Sequence, residues 1–98
     1  MNVINRTSIF INWLIALKDP IAKALITKRI ERAKKGNFGD HKFLRNEIWE
    51  MRINTGKGYR VYYAREGEII YLLLCGGDKT TQEADIKQAL EIWESLKN

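Results

Sequence analysis

The sequence predicts an α+β fold, with helices segregated from a meander of antiparallel strands. Three observations predict it. Apolar residues recur at helical spacing from Ile9 to Ala33, the period drops to two from Glu47 to Arg65, and helical spacing returns from Ile86 to Leu96. The chain is 98 residues long, carries one proline and is 45% hydrophobic, which fits a single small domain over residues 1–98.

Met1 to Asn5 reads as a short strand or an extended arm. Asn5 or Thr7 can cap a first helix whose apolar face is Ile9, Phe10, Trp13, Leu14 and Leu17. Asp19 is a good N-cap for a second helix, and Pro20 suits its first position, where a missing N–H costs nothing. Ile21, Ala22, Leu25, Ile26, Ile30 and Ala33 are its predicted apolar face, and Gly36 its stop. A loop follows over 37–42. In the strand from Glu47 to Ile53, Trp49, Met51 and Ile53 share one face, and Ile48, Glu50 and Arg52 the other. Asn54 to Gly58 is a hairpin loop, and Tyr59 to Arg65 the next strand. Glu66-Gly67 turns the chain into Ile69–Cys75, an unbroken apolar run expected at the centre of the sheet. Gly76-Gly77 is the predicted break. Thr80 to Glu83 has the spacing of a capping box, ahead of a last helix with Ile86, Ala89, Leu90, Trp93 and Leu96 on its apolar face.

Seventeen Lys and Arg against twelve Asp and Glu give a net charge of +5. The excess is local: residues 18–46 hold nine basic residues against three acids. A basic stripe on a small domain suits a polyanion, or serves as a solvated helix face. One cysteine and one histidine exclude an internal disulfide and a Cys/His zinc site within one chain. No apolar run is long enough to span a membrane. No secretory leader is expected, so a reducing cytoplasm is the expected location. Neither GxGxxG nor GxxxxGK[ST] occurs, which removes support for dinucleotide or P-loop chemistry.

Arg52 and Arg60 are the first candidates for chemistry. They lie on adjacent strands of one hairpin, at positions that can fall side by side, and Glu50 shares the face of Arg52. Two guanidiniums beside a carboxylate suit a phosphodiester and its transition-state charge; an exposed cross-strand ion pair is the plainer reading. Gly76-Gly77-Asp78-Lys79 would let an anion approach the backbone with Lys79 as a point charge, or is simply a strand-to-helix turn. Lys28, Arg32 and Lys35 recur on one helix face, suited to RNA. Tyr62, on the Arg60 face, could stack on a base. His41 is a surface loop residue or an acid–base group. Cys75 reads as a small core residue.

Glu50-Met51-Arg52, Gly58-Tyr59-Arg60-Val61-Tyr62-Tyr63, and Leu72 through Gln82 with Asp85-Ile86 resemble the RelE/HigB/ParE toxin superfamily. More narrowly, they resemble its branch of addiction-module killer proteins, or phage-derived toxins. The resemblance spans essentially the whole chain. It implies a RelE-like fold: two N-terminal helices packed on an antiparallel sheet, made of a short N-terminal strand and a three-strand meander, with a C-terminal helix. It implies the toxin of a type II toxin–antitoxin module that cleaves mRNA on the ribosome without metal or cofactor. There the ribose 2′-OH attacks the adjacent phosphate and the 5′-oxygen leaves. Arg52, Arg60 and Lys79 match the family's basic positions. Glu50 stands where many relatives are basic, and is the expected general base. The aromatic of RelE's last segment falls around Asp85 here. The implied partners are a cognate antitoxin, often a helix-turn-helix protein, the ribosome with its mRNA, and operator DNA reached through the antitoxin. No membrane is implied. The last helix, with Trp93, either docks the antitoxin or closes the core. A ParE-like gyrase poison without nuclease activity is the alternative, as is a degenerate toxin acting only in an antitoxin–operator complex.

Overall fold

The computed structural model describes residues 1–97. Their order is β1 (Val3–Arg6), α1 (Ser8–Ala16), α2 (Pro20–Lys34), β2 (His41–Arg45), β3 (Ile48–Ile53), β4 (Tyr59–Arg65), β5 (Ile70–Asp78), a 3₁₀ turn (Lys79–Thr81) and α3 (Gln82–Lys97). The five strands form one sheet in the order β1-β5-β4-β3-β2. The fold is α+β and compatible with a RelE-like architecture. The sheet is larger than the sequence predicts and mixed: β2 extends the meander to four antiparallel strands, and β1 lies parallel to β5.

The helices form where local chemistry closes their ends. Thr7 caps α1 by accepting from Phe10 N at 3.0 Å, while its hydroxyl donates to Leu74 O at 2.6 Å and ties the helix to β5. Asp19 caps α2 by accepting from the amides of Ile21 and Ala22, with Pro20 in the first turn. Such a cap stabilises a helix by about 1 kcal/mol.

The sheet separates two cores. On one face α1 and α2 pack Phe10, Ala22, Ile26, Ile30 and Ala33 against Met51, Ile53, Val61, Tyr63 and Leu73. On the other, α3 lays Ala89 and Trp93 on Ile48, Tyr62, Ala64, Leu72, Leu74 and Cys75. The period of two along β3 and β4 sorts residues between these faces, and a bulge at Leu74 turns both it and Cys75 toward α3. Two residues of the predicted α2 face are not part of it: Ile21 is 67% and Leu25 38% exposed. The stripe that packs is the narrower one through Ala22, Ile26, Ile30 and Ala33, because α2 meets the sheet along a single line of small and branched side chains. Trp93 is 6% exposed, so α3 closes the core with it.

β5 does not break at Gly76-Gly77; it runs through both to Asp78. The glycines are needed for proximity. A Cβ at Gly76 would strike the Trp13 indole, and one at Gly77 would strike the Asp85 carboxylate. The cap after the strand is also displaced from its predicted place. Asp78 accepts from Thr80 N at 2.8 Å, and Thr81 closes the capping box, so the box belongs to the 3₁₀ turn and not to Thr80–Glu83.

Candidate functional site

The register of the sheet places Asp40, Arg52, Arg60 and Gly77 in one row. Arg52 pairs with Arg60, Arg60 with Gly77, and Arg52 N donates to Asp40 O at 2.8 Å. The next row is Lys42, Glu50, Tyr62 and Cys75. Alternation turns both rows toward α3. Arg52, Arg60, Glu50 and Tyr62 therefore come together on one face.

Their environments differ sharply. Arg52 is half-exposed and its guanidinium is held by Asp40, with Nη2 2.7 Å and Nε 3.1 Å from Oδ1. That hydrogen bond holds the Asp40 carboxyl below its ordinary range and raises the Arg52 guanidinium further. Arg60 is 7% exposed, with Nε 3.7 Å from Oε2 of Glu50, which has no exposed surface. The same Oε2 accepts from Gln82 Nε2 at 2.6 Å, so the first residue of α3 locks the carboxylate in place. Among the described residues, no group hydrogen-bonds Glu50 Oε1, Arg60 Nε and Nη1, or Tyr62 Oη. Four unpartnered polar atoms in one buried spot are uncommon, because each carries a desolvation cost. Burial pushes the Tyr62 hydroxyl well above its ordinary range, with Glu50 adding to the shift.

Two sequence expectations change here. Tyr62 is fully enclosed beneath α3, so its ring has no face open to a base. Glu50 is enclosed and already accepts from Gln82, so its carboxylate is closed to a ribose hydroxyl. Cys75 is buried and its thiol is pushed up to about 12 by that burial, as suits a core residue.

Lys79 is exposed at the start of the 3₁₀ turn. Its side chain runs past Gly58, whose φ of +75° only glycine adopts readily. Lys79 lines a cavity of about 340 Å³ with Asn54, Thr55, Gly56, Lys57 and Gly58, beyond the Arg60 end of the hairpin. A second cavity, of about 380 Å³, opens between β2 and α3 and is lined by Lys42, Phe43, Leu44, Arg45, Glu83 and Ile86. Lys28, Arg32 and Lys35 are all exposed on α2 or at its C-terminal end, in the layer on the other side of the sheet. Asp40 carries no signal in the sequence, since it lies just before a strand that periodicity does not reveal. Gln82 stands in the segment that carries the resemblance, but nothing in its spacing says that it reaches Glu50.

An α+β sheet with two helices before it and one after it is compatible with a RelE-like fold. Residues 12–95 match the family model described as phage derived protein Gp49-like (DUF891). The chain belongs to this family of RelE-like proteins from type II toxin–antitoxin systems. It is also 51% identical over 93 residues to a Haemophilus influenzae protein (strain ATCC 51907 / DSM 11121 / KW20 / Rd) named only "Uncharacterized protein", covering 95% of this chain and 94% of the relative.

Proposed function

We propose that this chain is the toxin of a type II toxin–antitoxin pair and cleaves mRNA on the ribosome. Attack of a ribose 2′-OH on the adjacent phosphorus forms a 2′,3′-cyclic phosphate as the bond from phosphorus to the 5′-oxygen breaks; the 2′-oxygen gives its proton to water, and the released 5′-oxygen takes one up. The observation that carries this reading is the adjacency of Arg52 and Arg60 across β3 and β4, with Arg52 half-exposed and Arg60 beside it at 7% exposure. Guanidiniums so placed favour the extra charge of a phosphorane over the ground-state diester. Arg52 and Lys79, both reachable from solvent, would grip the flanking phosphates. Glu50 and Gln82 would keep Arg60 in one orientation. Asp40 would be displaced from Arg52 by phosphate, an exchange of one anion for another at an exposed site. Lys28, Arg32 and Lys35 would touch ribosomal RNA. A cognate antitoxin would restrain the toxin, and the pair would reach operator DNA through the antitoxin.

The test is primer extension on mRNA translated in the presence of the protein. Wild type produces new 5′ ends inside codons, and Arg60→Lys loses them at equal protein level. Absence of new ends with wild type, together with trapped gyrase–DNA complexes, rejects the nuclease in favour of a gyrase poison.

A further inference from the structure

On the face of the sheet away from Arg52 and Arg60, the structure gathers aromatic rings at one end. Phe43 pairs with Trp49, and Trp49 with Tyr63, so three rings cross β2, β3 and β4 in one row. Phe38, from the α2–β2 loop, lies flat on Tyr63 with ring centroids 5.2 Å apart and 16° between planes, and leans on Tyr71 at 4.8 Å. The His41 ring stands between Phe38 at 5.8 Å and Trp49 at 5.6 Å. Phe38, His41, Trp49, Tyr63, Arg65 and Tyr71 enclose a cavity of about 210 Å³.

Three features set this cavity apart from the margin of a core. First, its walls are held by polar bonds as well as by packing. Arg29 donates from Nη1 to Arg52 O, and from Nη2 to Phe38 O at 2.8 Å and Asp40 O at 3.0 Å, so one guanidinium pins the loop that carries Phe38 and His41. Gly39, at φ +63°, lies so close to that guanidinium that a Cβ would meet it. Second, His41 is exposed, yet its ring is fixed by the bond between Nδ1 and Gly39 O at 2.7 Å. Third, the lining contains a cation and, among the described residues, no carboxylate. Arg65 is braced at the rim by bonds to Gly67 O at 2.6 Å and Glu68 O at 2.7 Å.

Preorganised aromatic walls with a fixed cation at the rim suit a flat π system attached to an anion. A cavity of this size is below the range of drug-sized sites, about 300–1,000 Å³, and takes one ring system. Every base has a π-face, and stacking platforms beside positive charge are how proteins hold unpaired nucleotides. We infer that this cavity is a stacking site for one unpaired base of single-stranded RNA, with the neighbouring phosphate beside Arg65. The choice of RNA rests on the proposed function above. The site itself lies across the sheet from Arg60, and holds the strand without touching the reacting atoms.

The experiment titrates the protein with hexauridylate, hexaadenylate and an abasic sugar-phosphate oligomer of equal length. It reads the indole N–H resonance of Trp49 by NMR and affinity by fluorescence anisotropy. Both base-carrying oligomers should shift Trp49, and the abasic one should bind at least about tenfold more weakly, the scale of removing one stacked base. His41→Ala, at an exposed position that leaves the fold intact, should lose about tenfold. Trp49→Phe, which keeps a ring in the wall, should stay within about twofold. Equal binding by His41→Ala and wild type overturns the inference. So does equal binding of abasic and base-carrying oligomers, or failure of wild type to bind them. If the oligomers shift Trp49 while translated mRNA stays uncut, the nuclease reading fails alone.

Discussion

Arg60 and Glu50 show why identity along a strand says less than depth within it. The pairing of the two strands and the shared face of Glu50, Arg52 and Arg60 were legible in the sequence, because a period of two and a hairpin loop decide them. Burial was not, because it depends on where α3 lies. An arginine expected at the surface proves to be enclosed, so its replacement cannot be neutral for the fold. Removing one member of a buried pair leaves the other charge uncompensated, at about 3–5 kcal/mol. Arg60→Met should therefore lower stability by that amount in urea unfolding, and Glu50→Gln in the same chain should recover most of it. Arg52 behaves oppositely. Arg52→Ala should leave the urea midpoint nearly unchanged, because its pair with Asp40 is half-exposed, while reducing cleavage by about 10²–10³-fold in single-turnover assays. The pair also fixes a sign with pH. Asp40 titrates below its ordinary value, chiefly through the hydrogen bond from Arg52. Its contribution is thus present above about pH 4 and fades as pH falls through the lowered value. Urea midpoints measured against pH should show less loss on the acid side in Arg52→Ala than in wild type.

At the level of elements, α1, α2, β3, β4 and α3 follow from spacing and capping, while β2 was not foreseen. His41–Arg45 is short, and four of its five residues are exposed, so no apolar alternation marks it. The turn after it places Asn46 at φ +48° and Glu47 at φ +72° without a glycine. A two-residue turn of this kind usually announces itself by Asn-Gly. Edge strands escape pattern reading for this reason, since one side chain in two need not be apolar when neither face is deeply covered. β5 was misread at its end because glycine was taken for a breaker. The pair serves close packing instead, and the cost of filling it is testable. Gly76→Ala forces its methyl into Trp13 and should destabilise by about 1–3 kcal/mol in thermal unfolding. Gly67→Ala, with nothing nearer than 4.0 Å and no left-handed φ, should stay within about 0.5 kcal/mol. Trp13→Phe should lower the cost of Gly76→Ala, a coupling expected of touching residues.

For the whole molecule, positive charge divides across the sheet, with Arg52 and Arg60 toward α3 and the basic stripe of α2 on the opposite layer. If Lys28, Arg32 and Lys35 bind ribosomal RNA, changing all three to Glu should weaken ribosome co-sedimentation at low salt. It should also flatten the salt dependence by about 0.7–0.9 in log–log slope for each phosphate no longer neutralised; an unchanged slope rejects the role. The concentration of charge between residues 18 and 46 was legible in the sequence. Its separation from the arginine row was not, since only the topology assigns α2 and α3 to opposite sides. Gly76 and Gly77 give that separation a physical thickness. Trp13 rests on one and Asp85 on the other, so at this point the wall between the two layers is a single peptide backbone with hydrogens on both sides. Elsewhere a pair of side chains can yield to a displacement by changing rotamer; here there is none to yield. The two layers are mechanically in series at Gly76-Gly77, and a side chain cannot grow on either side without moving the strand that the other side stands on.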